Sequence, residues 1–66
     1  MKLSRLTKPE LEKILENANF TDDEELIFNL LSRGFSILEI SQRAGMSESS
    51  VYRRIRHIKV KVEKVR

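Results

Sequence analysis

Ser49, Ser50, Arg53, Arg54, Arg56, His57 and Lys59 fall in one short stretch of the chain. Hydroxyls, guanidiniums and an ammonium at that density suit contact with a polyanion. Guanidinium groups grip phosphate oxygens and guanine edges through paired N–H donors, and serine hydroxyls donate or accept at base edges. No comparable set exists for nucleophilic or metal chemistry. His57 is the only imidazole and there is no cysteine, so no second ligand or base stands near it in sequence. The carboxylates Asp22-Asp23-Glu24-Glu25 read as a first helical turn that complements the positive end of the helix dipole. The expectation is a non-enzyme with no metal and no cofactor.

The net charge of +3 conceals a sorting of charge along the chain. Up to Leu30 there are four Lys or Arg against seven Asp or Glu, a net of −3, and from Leu31 onward nine against three, a net of +6. A basic half beside an acidic half predicts one face for a polyanion and another turned away from it. The length of 66 residues fits one domain, and folding at that size buries only about 60% of the surface the unfolded chain exposes. Without disulfides or a structural metal, helix capping or a partner subunit must supply stability. No apolar run approaches the roughly 20 residues needed to cross a bilayer, and MKLSRLTKPE lacks the apolar stretch of a signal peptide. The predicted location is the cytoplasm, with no membrane partner.

Those functional residues need a frame, and four Ser or Thr caps define it. Thr7, Thr21 and Ser36 each have Glu three residues on, at Glu10, Glu24 and Glu39, completing capping boxes; Ser47 is the fourth cap, with Ser50 in the third position. Leu6 with Leu11, Phe35 with Ile40 and Met46 with Val51 are spaced as hydrophobic staples. The pattern predicts a first helix over 8–17 with Leu11, Ile14, Leu15 and Ala18 inward. A second runs over 22–33 with Leu26, Ile27, Leu30 and Leu31 inward, ending at Gly34. A third covers 37–44, with Ile37, Ile40 and Ala44 on one face, and Gly45-Met46-Ser47 is the turn into a long basic helix from Glu48. In that helix Val51, Ile55, Ile58, Val62 and Val65 recur every three or four residues. A strand over 58–62 is the rival, because apolar and basic residues alternate there, but it has no evident pairing partner. The expected fold is all-α: a single domain over 1–66, four helices, a tri-helical helix-turn-helix core at about 36–58, and an extended basic C-terminal helix.

In a helix-turn-helix the second helix lies in the major groove and its N-terminal residues reach base edges. With about 100° per residue, Ser49, Arg53, Arg56, His57 and Val60 point most nearly away from the apolar stripe, flanked by Ser50, Tyr52 and Arg54. Ser49, Ser50 and Arg53 are thus the candidates for reading bases. Ser36, Ser47, Tyr52, Arg54, Arg56, His57 and Lys59 are the candidates for phosphate, the two serines through helix N-termini. Phe28 falls about 130° from the centre of the second helix's expected stripe, so either the first helix covers it or it belongs to a partner surface. Val62 and Val65 pose the same alternative, and Phe28, Val62 and Val65 form the candidate interface of a homodimer.

The segment Phe20-Thr21-Asp22-Asp23-Glu24, then Leu30-Leu31-Ser32-Arg33-Gly34-Phe35-Ser36, Glu39-Ile40-Ser41, Met46-Ser47-Glu48-Ser49-Ser50-Val51 and Ile58 resembles the C-terminal DNA-binding domain of LuxR-type regulators. It is almost equally similar to region 4 of sigma factors. The resemblance covers about Phe20 to Val62. It implies a tri-helical or tetra-helical fold, transcriptional regulation, and DNA-facing positions at Ser49, Ser50, Arg53 and Arg54, although Arg54 stands where LuxR-type domains often have His. The expected function is a sequence-specific DNA-binding regulator of double-stranded DNA. The alternative is an adaptor of the same fold that binds RNA polymerase or another regulator through protein contacts.

Overall fold

A computed structural model describes residues 6–65. They form four helices, α1 (Lys8–Asn17), α2 (Asp22–Ser32), α3 (Ile37–Ala44) and α4 (Glu48–Val65), and no strand lies among the described residues. The stretch 58–62 is helical: its three valine and isoleucine residues alternate locally, but helical spacing puts Ile58 and Val62 together in the core.

Each of the first three helices starts where a side chain satisfies its free amides. Thr7, Thr21 and Ser36 accept from the backbone N–H of Glu10, Glu24 and Glu39, and each of those carboxylates accepts from the cap residue's own N–H. At α4 the Ser50 N–H donates to the Ser47 hydroxyl at 3.2 Å, and Ser47 donates to the Ser50 hydroxyl at 3.1 Å. The ends are equally local. Gly34, at φ +85°, closes α2 with Phe35 N–H donating to the Leu30 carbonyl and Gly34 N–H to that of Leu31, the paired bonds of a Schellman motif. Gly45, at φ +68°, closes α3, and Met46 N–H donates to the Ser41 carbonyl.

α2 and α3 pack on α4 and on each other, while α1 lies more lightly against α4. Ile14, Ala18, Ile27, Phe28, Leu30, Ile40, Val51, Ile58 and Val62 form the buried core. Leu6, Leu11, Leu15, Leu31, Phe35, Ile37, Met46, Ile55 and Val65 pack against it half-buried. The apolar stripe of α4 is thus the seam that the other helices share.

The inward face of α2 is only partly the expected one: Ile27 and Leu30 are buried and Leu31 packs against the core. Leu26 is 42% exposed, whereas Phe28 is fully buried and Glu24 is only 2% exposed. Exchanging Leu26 for Glu24 and Phe28 rotates the centre of the buried stripe by about 60° on a 100° wheel. A long-range ion pair accompanies the rotation. Lys61 of α4 bonds to the Glu24 carboxylate and, at 3.2 Å, to the carbonyl of Asn19, so a charged residue enters the interior with its partner. Phe28 then packs against Phe20, with ring centroids 5.1 Å apart and planes tilted by 42°.

Candidate nucleic-acid interface

α4 carries most of the candidate contacts because its fully buried stripe is narrow and much of the rest of its circumference is exposed. Val51, Ile58 and Val62 are fully buried while Ser49, Tyr52, Arg53, Arg56, His57, Lys59 and Val60 are exposed and Ser50 and Arg54 half-buried. Two flanks emerge. Tyr52, Arg56 and Lys59 lie about 80° to 140° to one side of the buried stripe, and Ser50, Arg54, His57, Lys61 and Lys64 about 60° to 140° to the other, with Ser49 and Arg53 near the apex. On the second flank Ser50, Arg53, Arg54 and His57 line one open groove. A second groove, lined in part by Thr21, Arg54, His57, Lys61 and Lys64, continues it along α4 toward the start of α2.

The structure thus brings together Ser50, Arg53, Arg54 and His57, and sets Tyr52, Arg56 and Lys59 on the opposite side. Two side chains on the grooved flank escaped the sequence reading: Lys61, which is committed to Glu24, and Lys64. Their spacing from His57, four and seven residues, was the available signal. Also unforeseen is Asp23, whose carboxylate lies 3.5 Å from the Arg54 guanidinium, with both side chains about half exposed.

The helix starts differ in what they offer an anion. At α3 the Glu39 carboxylate already accepts from the Ser36 N–H at 3.1 Å and from its hydroxyl at 2.9 Å. Those two bonds hold the Glu39 carboxyl below its ordinary value, so it stays ionised. The phosphate contact expected of Ser36 is therefore opposed by a fixed negative charge at the same amides. Ser47 caps α4 with hydroxyls, so no carboxylate occupies the cap itself, although Glu48 places one acidic side chain in the first turn of that helix.

Glu24 anchors the frame of the site. Burial pushes its carboxyl up, but the hydrogen bond from Lys61, the backbone N–H of Thr21 and the charge of Lys61 together outweigh burial and hold it below its ordinary value. It is ionised at neutral pH and ties α2 to the middle of α4.

Two of the three residues expected at a partner interface are corrected. Phe28 and Val62 have no exposed surface, because Phe28 packs in the core against Phe20 and α4 presents Val62 to the same core. Val65 is half-buried against that core and lines a groove with Leu6, Glu10, Lys13 and Ile14. Among the described residues the exposed large apolar side chains are Leu26, Leu38, Tyr52 and Val60. Among the described residues no group of acidic or His side chains could hold a metal ion, and no helix is long and apolar enough to cross a membrane. No protein-family model, curated protein or solved structure gives a significant match to this chain.

Proposed function

We propose that this protein is a sequence-specific DNA-binding regulator in which α3, the turn 45–47 and α4 act as a helix-turn-helix, with α4 entering the major groove. The observation that carries the reading is the exposed N-terminal half of α4. Its buried residues Val51 and Ile58 are held against the rest of the fold, while Ser49, Ser50 and Arg53 face outward beside Arg54 and His57. The three-residue connection to α3, the α3–α4 packing and the resemblance to LuxR-type and sigma region 4 domains support the same reading. In this mode Arg53 reads guanine through paired N–H donors, Ser49 and Ser50 contact base edges, and Arg54, Arg56, His57 and Lys59 hold phosphates.

The test is binding to a random-sequence duplex library across a salt series. Arg53→Ala flattens base preference; Arg56→Ala weakens all duplexes alike and lowers the slope of log K against log salt by about 0.9. Absence of binding to every duplex at about 50 mM salt, where phosphate contacts are strongest, refutes the reading.

A protein-adaptor role is the second reading, favoured by the exposure of Leu26, Leu38, Tyr52 and Val60. Replacing Arg53, Arg54 and Arg56 together with Gln leaves an adaptor functional and abolishes a DNA binder.

A further inference from the structure

Two of the cations on the grooved flank of α4, Lys61 and Arg54, are held by α2, in different ways. Lys61 is locked: its partner Glu24 has a side chain only 3% exposed and also carries the Thr21 capping box. Arg54 is parked: its guanidinium sits 3.5 Å from Asp23, and the two side chains are 42% and 52% exposed. An exposed pair at that distance is weak and open to competition, worth a factor of about five at most in an equilibrium constant. Arg54 also lines the same groove as Ser50, Arg53 and His57, so Asp23 places a negative charge at the rim of the most cationic part of α4.

We propose that Asp23 is an intramolecular competitor of DNA phosphate for Arg54, and so sets how tightly this face binds any duplex. The inference rests on the DNA-binding reading. In the free protein Arg54 stays on Asp23, on the flank turned toward α2. A phosphate entering the groove draws the guanidinium away and meets the Asp23 charge that is left behind. Both costs are independent of base sequence, so Asp23 lowers affinity for specific and nonspecific duplexes by a similar factor. Base contacts from Ser49, Ser50 and Arg53 are untouched, and base preference is unchanged. Because the pair is exposed, salt screens it; the brake is strongest at low salt.

The experiment compares wild type, Asp23→Asn, Asp22→Asn, Arg54→Gln and the Asp23→Asn/Arg54→Gln double variant, each binding one selected and one random duplex at about 50 and 200 mM salt. Asp22 supplies the control, because it carries the same charge in the same first turn of α2 and has no ion pair to Arg54. Asp23→Asn is expected to tighten binding to both duplexes by about three- to five-fold at the lower salt and less at the higher. Asp22→Asn changes binding by less than a third of that gain, and the gain disappears in the Arg54→Gln background, as a double-mutant cycle requires of a direct contact. A destabilised fold would weaken binding, so tighter binding cannot come from that source. An equal gain from Asp22→Asn, or a gain that survives Arg54→Gln, overturns the proposal and leaves the DNA-binding reading standing. If neither wild type nor any variant binds duplex DNA at the lower salt, both fall together.

Discussion

Lys61→Met tests the ion pair that joins α2 to α4. The substitution keeps the aliphatic stem and removes the ammonium that bonds to Glu24 and to the Asn19 carbonyl. What remains is a carboxylate 3% exposed, with the Thr21 N–H at 2.9 Å as its capping donor. Removing one partner of a fully buried pair costs about 3–5 kcal/mol, and a hydrogen bond to a charged group contributes about 1.5–3 kcal/mol. Lys61 is 31% exposed, so solvent screens part of the interaction and the lower range applies, about 2 kcal/mol. Chains of this length have total stabilities of roughly 3–10 kcal/mol, and a loss of that size lowers Tm by roughly 8–16 °C. Urea unfolding followed by far-ultraviolet circular dichroism at neutral pH measures it. The pH dependence supplies the sign. In the wild type Glu24 titrates below its ordinary 4.5, so its stabilisation is present above that pH and is lost as pH falls through the lowered value. In Lys61→Met burial acts with less opposition and raises the carboxyl's pKa relative to the wild type, so the loss is greatest at neutral pH and shrinks toward about pH 4 as Glu24 takes a proton. Glu24→Gln combined with Lys61→Met recovers part of the loss, since no charge is left stranded and the amide oxygen can still accept from the Thr21 N–H. A neutral-pH loss under about 0.5 kcal/mol, or one of equal size at about pH 4, would refute the assignment of Glu24 and Lys61 as the lock between α2 and α4.

Phe28→Ala removes a fully buried ring packed on Phe20 and costs about 3–5 kcal/mol, read as a collapse of cooperative thermal unfolding; an unchanged Tm with a changed oligomeric state in sedimentation would return Phe28 to a partner surface. Gly45→Ala costs about 1–2 kcal/mol in denaturant titration, purely from the left-handed backbone at φ +68°, because an added Cβ meets nothing within 4 Å. An effect near zero there would mean that the α3–α4 turn relaxes easily. Thr21→Ala loses the cap of α2 and about 1 kcal/mol, and α2 amides near Glu24 should show the largest gain in hydrogen exchange; uniform exchange gains across all four helices would contradict a local cap.

Helix starts and stops were legible in the sequence because the interactions that make them span three to five residues. Thr7, Thr21, Ser36 and Ser47 cap the helices they precede, and Gly34 and Gly45 end theirs in left-handed conformations. The buried stripe of α4 was legible for the same reason: one period, sustained from Val51 to Val65, admits one inward face. From that stripe the outward positions of Ser49, Arg53 and Arg56 followed directly. Tertiary structure alone decided which flank of α4 faces α2. It placed Asp23 beside Arg54 and Glu24 beside Lys61, left Leu26 in solvent and closed Phe28 and Val62 inside. Glu24 and Lys61 are 37 residues apart in the chain, and a wheel built on hydrophobicity places a glutamate outside. Local chemistry marks where each helix begins and how it is striped, whereas the rotation of one helix against another follows from pairings of charge and volume that exist only once the helices meet.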